Sequence, residues 1–372
     1  MNAPSQFRSL RQHPSPKRRR GPIPVMVVDD SLTARTVLGK VIDRSSDMVL
    51  ADTASSAEQA IAKLNHGLKV DVILLDLEMP GMGGLAGLPE ILEKSDNASV
   101  LVVSSLTAEG AKETIAALSM GASDVVQKPE PGKFNAEYRA ELAGRIRALA
   151  GGSMPEQVEV AAPVESNDVA APVLRSASNS RIDCIAIGGS TGGIHSLCQF
   201  FAALPKAIST PIVITQHLPS AFVQIFADQM ESASSRPARI AKDGSQLVPG
   251  EILIAPGDGH LSFVKKGGEA IAKITNEAVA SGCCPSVDPM LASLAEVLDG
   301  HVVGVVLSGM GRDGQFGAKK LVEKGGIMLA ESPESCAVWG MPRGVAEAGI
   351  ASEIADPAEL AKWVSMRLAV AI

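Results

Sequence analysis

The chain of 372 residues is long enough for two or three domains. Apolar residues make up 46% and charged residues 20% of it, which allows ordinary buried cores and excludes wholesale disorder or a collagen-like repeat. No apolar run approaches the roughly 18 residues of a candidate membrane span, and no secretory signal opens the chain, so we expect a cytoplasmic protein. The five cysteines lack Cys-x-x-Cys spacing, which argues against a zinc cluster or a disulfide framework.

The formal net charge of −7 hides a basic N-terminus. Residues 1–20 contain six basic residues and no acidic one, so the remainder carries −13, which is −7 less the +6 of this segment. Because an acidic body does not suit a phosphate backbone, we expect no nucleic-acid partner. The apolar pattern likewise predicts no membrane insertion. Residues 1–22 are predicted to be a disordered basic tail.

Strand and helix patterns alternate from Pro22 to residue 150. Short apolar runs predict strands, and the segments between them have the length and spacing of helices, including a last helix at about 136–150. This alternation is typical of a doubly wound α/β domain with a parallel sheet, here expected at 23–150. The predicted strands lie at 25–28, 48–51, 70–75, 100–103 and 124–127.

A second doubly wound α/β domain is expected at 181–372, after a linker at 151–180. Ala, Ser, Pro and Gly dominate the linker and no amphipathic period crosses it, so it is predicted to be flexible. Two short apolar runs on either side of Lys265-Lys266-Gly267-Gly268 predict a β-hairpin inserted into an otherwise parallel pattern. The predicted strands lie near 182–187, 212–215, 252–255 and 302–307.

Acidic residues end two strands of the first predicted domain: Asp29 and Asp30 follow the first strand and Asp76 follows the third. The carboxyl ends of strands in an open α/β sheet converge on one crevice, and three close carboxylates require a divalent cation, for which oxygen ligands favour Mg²⁺. Ser104 ends the fourth strand and Lys128 the fifth, and a hydroxyl and an ammonium group suit phosphoryl oxygens. One strand-end aspartate alone is more often a cap or a turn residue, but five positions in this order favour a phosphorylation site.

Residues 23–150 therefore resemble the receiver domain of response regulators. The resemblance implies a flavodoxin-like fold in which Asp76 is the phosphorylated residue and Asp29, Asp30 and Asp76 bind Mg²⁺. It also implies that Ser104 and Lys128 support the phosphoryl group and that a histidine kinase is the phosphodonor.

Two positions depart from the receiver pattern. Gly83 stands in the 78–84 loop where Asp is frequent, and Val125 stands where many receivers carry an aromatic switch residue. We therefore do not expect a rotating ring to carry the signal from Ser104.

The segment Gly188-Gly189-Ser190-Thr191-Gly192-Gly193 lies between a predicted strand and a predicted helix and fits G-x-S-x-G. A serine on such a turn meets free N–H groups at the helix N-terminus, which can stabilise an oxyanion. A dinucleotide-binding loop would need Gly at Ser190, and a P-loop would need Gly-Lys in place of Gly193-Ile194. Ser190 is therefore the candidate nucleophile.

A serine nucleophile needs a base and an orienting acid. His217 directly follows the predicted strand at 212–215 and is the best candidate base, with His260 in reserve. Asp313 follows the strand at 302–307 and is the candidate acid, although the chain order Ser, His, Asp differs from that of α/β-hydrolases. The histidines set aside by position are His13, His66, His195 and His301.

Residues 182–372 resemble the catalytic domain of chemotaxis receptor methylesterases, whose architecture is a receiver followed by this domain. The resemblance implies the triad Ser190, His217 and Asp313, with Thr191 supporting the histidine and the Met310 N–H serving the oxyanion hole. Cys283 and Cys284 stand where basic residues are usual in that family. The matching segments are IGGSTGG at 187–193, QH at 216–217, APGD at 255–258, PSVD at 285–288, SGMGRDG at 308–314 and GMPR at 340–343.

The resemblance implies a phosphorylation-activated serine hydrolase that demethylates glutamate methyl esters, and deamidates glutamines, on methyl-accepting chemotaxis receptors. Its esterase reaction would need no cofactor. We further expect the unphosphorylated receiver to cover the Ser190 crevice. The alternative is a catalytically silent docking module that signals by phosphorylation. A DNA-binding output is disfavoured because neither a helix-turn-helix nor a basic C-terminal half is visible.

Overall fold

The computed structural model describes residues 21–105, 107–128, 135–151, 174–178 and 181–370. The predicted basic tail, apart from residues 21 and 22, and most of the predicted linker lie outside this range. Linker residues 174–178 are bonded to the C-terminal half: Arg175 N donates to Ala351 O (2.8 Å) and Ser178 Oγ donates to Gly325 O (2.7 Å). No helix within the described residues has the length and apolar character that a bilayer crossing requires.

The N-terminal half is the predicted α/β fold with a five-stranded parallel sheet. Its elements are β1 (Ile23–Val28), α1 (Leu32–Asp43), β2 (Met48–Ala54), α2 (Ala57–Asn65), β3 (Val72–Asp76), α3 (Gly83–Lys94), β4 (Ser99–Ser104), α4 (Ala108–Met120), β5 (Asp124–Gln127) and α5 (Ala136–Leu149). The strand order β2-β1-β3-β4-β5 places β1 beside β3. All residues of β3 and β4 are buried, as expected for strands covered by helices on both faces.

The C-terminal half is a larger α/β unit. Its elements are β6 (Cys184–Gly189), α6 (Gly193–Ala203), β7 (Ile212–Gln216), α7 (Ser220–Ser234), β8 (Ala238–Ile240), β9 (Ile252–Ile254), β10 (His260–Lys266), β11 (Glu269–Thr275), α8 (Val287–Val297), β12 (Val302–Val306), α9 (Gln315–Glu323), β13 (Ile327–Glu331), α10 (Met341–Glu347), β14 (Glu353–Ala355) and α11 (Pro357–Val370). Seven strands form one parallel sheet in the order β14-β13-β12-β6-β7-β9-β8, and β10 and β11 form the predicted hairpin. Strands β8, β13 and β14 were not predicted.

Both sheets contain a point where the strand order reverses, and these points determine where side chains converge. In the first sheet the reversal lies between β1 and β3, and in the second it lies between β6 and β12. A crevice forms at the carboxyl ends of the strands beside such a reversal. The loops after β1 and β3 therefore meet in the N-terminal half, and the loops after β6, β7 and β12 meet in the C-terminal half.

Candidate active site and phosphorylation site

The carboxylate cluster of the N-terminal half surrounds Asp76 at the end of β3. Asp29 and Asp76 are each 1% exposed, and Asp30 beside them is exposed. Lys128 Nζ lies 2.5 Å from Asp76 Oδ2 and 3.6 Å from Asp29 Oδ2. Ser104 Oγ at the end of β4 accepts a hydrogen bond from Thr114 Oγ1 (2.6 Å). The five residues predicted for this site therefore lie at one edge of the sheet.

The electrostatics of this cluster suit a divalent cation. Burial, together with the negative charge of Asp29, raises the pKa of Asp76 to about 6 despite the opposing effect of Lys128. Buried Asp29 Oδ2 accepts no hydrogen bond, and single carboxylate oxygens of Asp29, Asp30 and Asp76 lie within 4.8 Å of one another. Three close oxygen donors, one of them without a hydrogen bond, fit a hard ion such as Mg²⁺.

The candidate nucleophile lies on a tight turn between β6 and α6. Gly192 has a φ of +80°, a left-handed conformation that glycine adopts without strain. Ser190 N donates to Ser308 O in the loop after β12 (2.9 Å). A Cβ atom on Gly309 would lie 2.9 Å from the Ser190 Cβ and 2.3 Å from Met341 Sδ, so the two loops approach each other more closely than a side chain would allow.

The candidate base and acid are bonded directly. His217 Nε2 lies 2.7 Å from Asp313 Oδ2. Asp313 is almost fully buried and accepts two further hydrogen bonds, from Ser286 Oγ to Oδ1 (2.6 Å) and from Val287 N to Oδ2 (2.7 Å). These donors fix the carboxylate, which in turn orients the imidazole. Because Nε2 faces Asp313, Nδ1 is the ring nitrogen that remains for a substrate-side proton.

The charges of this pair stabilise each other. Burial opposes the charge on Asp313, but hydrogen bonds from His217, Ser286 and Val287 lower its pKa to about 2. Burial also disfavours a charged His217, yet its interactions with Asp313 and Cys283 raise the pKa of the imidazole to about 9. This conformation therefore favours an imidazolium paired with a carboxylate.

Ser190 and His217 line the same cavity of about 390 Å³. His217 N donates to Gly189 O (3.0 Å) and Gln216 Nε2 donates to Ser190 O (2.7 Å), so β7 and the nucleophile turn are held together. Both side chains are described by the structure, and Ser190 Oγ makes no hydrogen bond to the His217 ring. The Met310 N–H donates to no group in the part of the chain that the structure describes.

The reserve base, His260, lies away from the proton path. It is 3% exposed at the start of β10, and its Nδ1 accepts a hydrogen bond from Ser286 N (3.1 Å). Since Ser286 in turn binds Asp313, His260 braces the residue that holds the acid. Among the described histidines, His217 is the one bonded to Asp313.

The Thr191 side chain was expected to support His217, but it faces the N-terminal half. Its Oγ1 donates to Asp124 Oδ2 of the N-terminal half (2.7 Å). Asp124 Oδ2 also accepts a hydrogen bond from Arg145 Nη1 (2.7 Å). Gly192 N also donates to Ser123 O (2.7 Å). The receiver-like half therefore holds the nucleophile turn itself, and Thr191 makes its side-chain hydrogen bond to that half rather than to the histidine.

Comparison with known proteins identifies both halves. Residues 185–364 match the model of the CheB methylesterase family, and residues 25–137 match that of the response regulator receiver domain. The protein-glutamate methylesterase/protein-glutamine glutaminase of Maricaulis maris is 36% identical, over 92% of this chain and 95% of that protein. The chain belongs to the protein-glutamate methylesterase/protein-glutamine glutaminase family.

Other relatives carry the same description. Protein-glutamate methylesterase/protein-glutamine glutaminase 1 of Rhodospirillum rubrum is 36% identical over 92% of this chain and 95% of its own. Among solved structures, the CheB methylesterase catalytic domain of Thermotoga maritima is 34% identical with a TM-score of 0.48, covering 50% of this chain and 98% of that one.

Some residues that position the methylesterase site were assigned no role from the sequence. Ser286 lies within a matching motif, but its hydroxyl could not be connected to Asp313 from the order of residues alone. Glu331 ends β13, a strand that was not predicted. The Glu331 side chain is fully buried, and its Oε2 accepts a hydrogen bond from Ser308 N (2.7 Å). Burial raises the pKa of Glu331 to about 7. Ser308 in turn accepts from Ser190 N, so Glu331 anchors the loop behind the nucleophile.

Proposed function

We propose that this chain hydrolyses glutamate methyl esters, and deamidates glutamines, on methyl-accepting chemotaxis receptors in the cytoplasm. The observation that carries the proposal is that His217, which is bonded to Asp313, lines the same cavity as Ser190 in a chain of this family. Ser190 is the nucleophile, His217 the base and Asp313 the orienting acid.

The reaction is an acyl transfer in two halves. Ser190 Oγ attacks the γ-carbonyl carbon of the ester while the neutral form of His217, which carries its proton on Nε2, takes the hydroxyl proton at Nδ1. The proton then passes to the leaving methoxide, and methanol departs from an acyl-enzyme. Water, deprotonated by His217, hydrolyses the acyl-enzyme to glutamate and returns the proton to Ser190. For a glutamine side chain the same attack expels ammonia.

The developing oxyanion requires donors that are not already occupied. The Met310 N–H is such a donor, on the loop that Ser308 and Glu331 hold against the nucleophile turn. A preorganised donor of this kind is worth roughly 3–4 kcal/mol of transition-state stabilisation.

The receiver half regulates this site by occupying it. Its residues Ser123 and Asp124 bind the nucleophile turn, and helix α4 packs against α6 and α7. Asp76 accepts the phosphoryl group from a histidine kinase. Asp29, Asp30 and Asp76 would hold Mg²⁺, which would supply positive charge to neutralise the phosphoryl oxygens. Phosphorylation favours the receiver conformation that leaves the catalytic crevice.

The signal from Asp76 has a route that does not need an aromatic switch residue. Ser104 is bonded to Thr114 on α4, and the carbonyl of Ser119 near the end of α4 lies 3.0 Å from His195 Nδ1 on α6. A movement of Ser104 toward a phosphoryl group on Asp76 would release Thr114. Helix α4 then links the phosphorylation site to the helix that follows Ser190.

Replacing Asp124 should activate the unphosphorylated enzyme. In Asp124→Ala, Thr191 loses its acceptor on the receiver, and a hydrogen bond to a charged group contributes about 1.5–3 kcal/mol. We expect methanol release without phosphodonor to rise roughly tenfold, since about 1.4 kcal/mol corresponds to a factor of ten. Asp47→Ala is the matched control, because it removes another receiver carboxylate paired with an arginine, Arg147. Equal basal activity in both variants and the wild type would contradict docking through Asp124.

Replacing Asp76 should abolish activation while preserving the basal activity. Asp76→Asn lacks the oxygen that accepts the phosphoryl group, so a small phosphodonor with Mg²⁺ should not stimulate methanol release from methylated receptor membranes. Asp52→Asn is the matched control, because Asp52 is a second receiver carboxylate paired with a lysine, Lys63 (2.6 Å). Stimulation that persists in Asp76→Asn would exclude Asp76 as the acceptor.

A further inference from the structure

A second cluster of metal-ligating side chains lies at the catalytic centre itself. His217, Cys283 and Asp313 each offer one donor atom, and these three atoms all lie within 4.8 Å of one another. Cys283 belongs to the segment between β11 and α8, and its thiol is half-buried against the imidazole. The proposed hydrolysis assigns this thiol no part.

The donor set is different from that of the receiver. Asp29, Asp30 and Asp76 offer three carboxylate oxygens, which favour a hard cation. His217, Cys283 and Asp313 offer nitrogen, sulfur and oxygen, each a ligand type that Zn²⁺ accepts, and three protein ligands leave the fourth position of a tetrahedral site open. The thiolate in particular selects against Mg²⁺ and Ca²⁺.

The observed spacing is within reach of zinc ligation. With bonds of about 2.0–2.3 Å, tetrahedral donors lie roughly 3.3–3.8 Å apart. Nε2 of His217 and Oδ2 of Asp313 are 2.7 Å apart and would separate slightly, whereas the thiol, within 4.8 Å of both, would approach by at most about 1.5 Å. Cys283 can make that movement because it lies outside helix and strand, where its N donates to Ser281 Oγ (3.4 Å) and its thiol donates to Ser281 O (3.7 Å), both two residues away.

We propose that His217, Cys283 and Asp313 form a Zn²⁺ site that switches off the esterase by occupying its base. Zinc binding releases two protons to solvent, the thiol proton of Cys283 and the Nε2 proton that the His217 imidazolium shares with Asp313, and it leaves the Nδ1 proton in place. With zinc on Nε2, the ring keeps its remaining proton on Nδ1, so the nitrogen on the substrate side has no lone pair for the Ser190 proton. The inhibitory effect rests on the proposed role of His217, whereas zinc binding does not.

Inhibition is measured on the full chain with Mg²⁺ and a phosphodonor in excess. Methanol release from methylated receptor membranes is followed while buffered free Zn²⁺ is raised, and each variant is normalised to its own zinc-free rate. Wild type should lose activity and recover it with a chelator. Cys283→Ala should need at least about tenfold more free Zn²⁺ for half-inhibition. Cys284→Ala is the matched control, since it removes the adjacent thiol, and should behave as wild type.

Binding is measured separately from activity with Co²⁺ as the probe. A thiolate ligand gives cobalt a charge-transfer absorption that the carboxylates of the receiver site cannot produce. The absorption should appear with wild type and Cys284→Ala, be absent with Cys283→Ala, and disappear when Zn²⁺ is added. Failure of the esterase proposal would remove the methanol signal but leave this spectrum unchanged.

Two results would overturn the zinc site. One is equal zinc sensitivity of wild type and Cys283→Ala, which would place inhibition elsewhere. The other is a cobalt spectrum of wild type without thiolate charge transfer, or one that Cys283→Ala retains.

Discussion

Ser190→Ala is expected to lower methanol release from methylated receptors by roughly 10⁴- to 10⁶-fold, because no acyl-enzyme can form without the hydroxyl. The turn is held by main-chain bonds, Ser190 N to Ser308 O and Gln216 Nε2 to Ser190 O, which alanine retains. The variant should therefore fold, accept a phosphoryl group at Asp76 and still bind receptor. Rates are compared with and without phosphodonor.

The control for this variant is Ser365→Ala, which removes a hydroxyl bonded only to a carbonyl within α11. It should retain the wild-type rate. Activity of Ser190→Ala within tenfold of wild type would exclude Ser190 as the nucleophile. If the wild type itself released no methanol from membranes on which a known methylesterase acts, while Asp76 still became phosphorylated, the docking module would be the better description.

Asp313→Asn is expected to lower kcat by about 10⁴-fold, the order found where an orienting acid is replaced by its amide. Asp313 accepts hydrogen bonds from three groups and donates none. An asparagine brings an N–H₂ group into this set of donors, so the imidazole loses its orientation and the tautomer that leaves Nδ1 free. The measurement is kcat at saturating receptor, with thermal unfolding to verify the fold.

The same domain offers a matched control. Asp183 also pairs with a histidine, His301 (3.3 Å), but at the opposite edge of the sheet. Asp183→Asn should therefore leave kcat unchanged. Ser286→Ala removes one of the bonds that fix Asp313 and should cost about tenfold, since a charge-assisted hydrogen bond contributes about 1.5–3 kcal/mol. Full activity in Asp313→Asn would exclude Asp313 as the orienting acid.

Residues that end long apolar strands could be found from the sequence because a parallel strand buried on both faces leaves a clear apolar run. Asp29, Asp76, Ser190 and His217 all follow such runs. The reversal of strand order in the first sheet brings the two aspartates together, and the reversal in the second sheet does the same for Ser190 and His217. Strands β8 and β14 have three half-buried residues each, one of them charged, and so form no apolar run, whereas β9, of the same length, is an apolar run and was predicted. Strand β13 is an apolar run that the sequence analysis missed. The fold class was therefore predictable where apolar runs are long.

Contacts between distant segments left no local signal. The bond from Thr191 to Asp124 joins residues 67 positions apart, and the bond from Ser286 to Asp313 joins residues 27 apart. None of these four residues differs in type or in sequence spacing from an ordinary surface residue. The proximity of Cys283 to His217 depends in the same way on the course of the segment before α8, which composition does not determine.

The bond between Thr191 and Asp124 has a consequence for the phosphorylation chemistry. Coupling free energies between two sites are reciprocal, so a receiver that docks better when unphosphorylated is also harder to convert to the phosphorylated form while docked. A methylated receptor that occupies the crevice competes with docking and should increase the phosphorylated fraction at a fixed supply of phosphodonor. Under the proposed autoinhibition, a higher concentration of methylated receptor therefore increases the fraction of the enzyme that is phosphorylated and active.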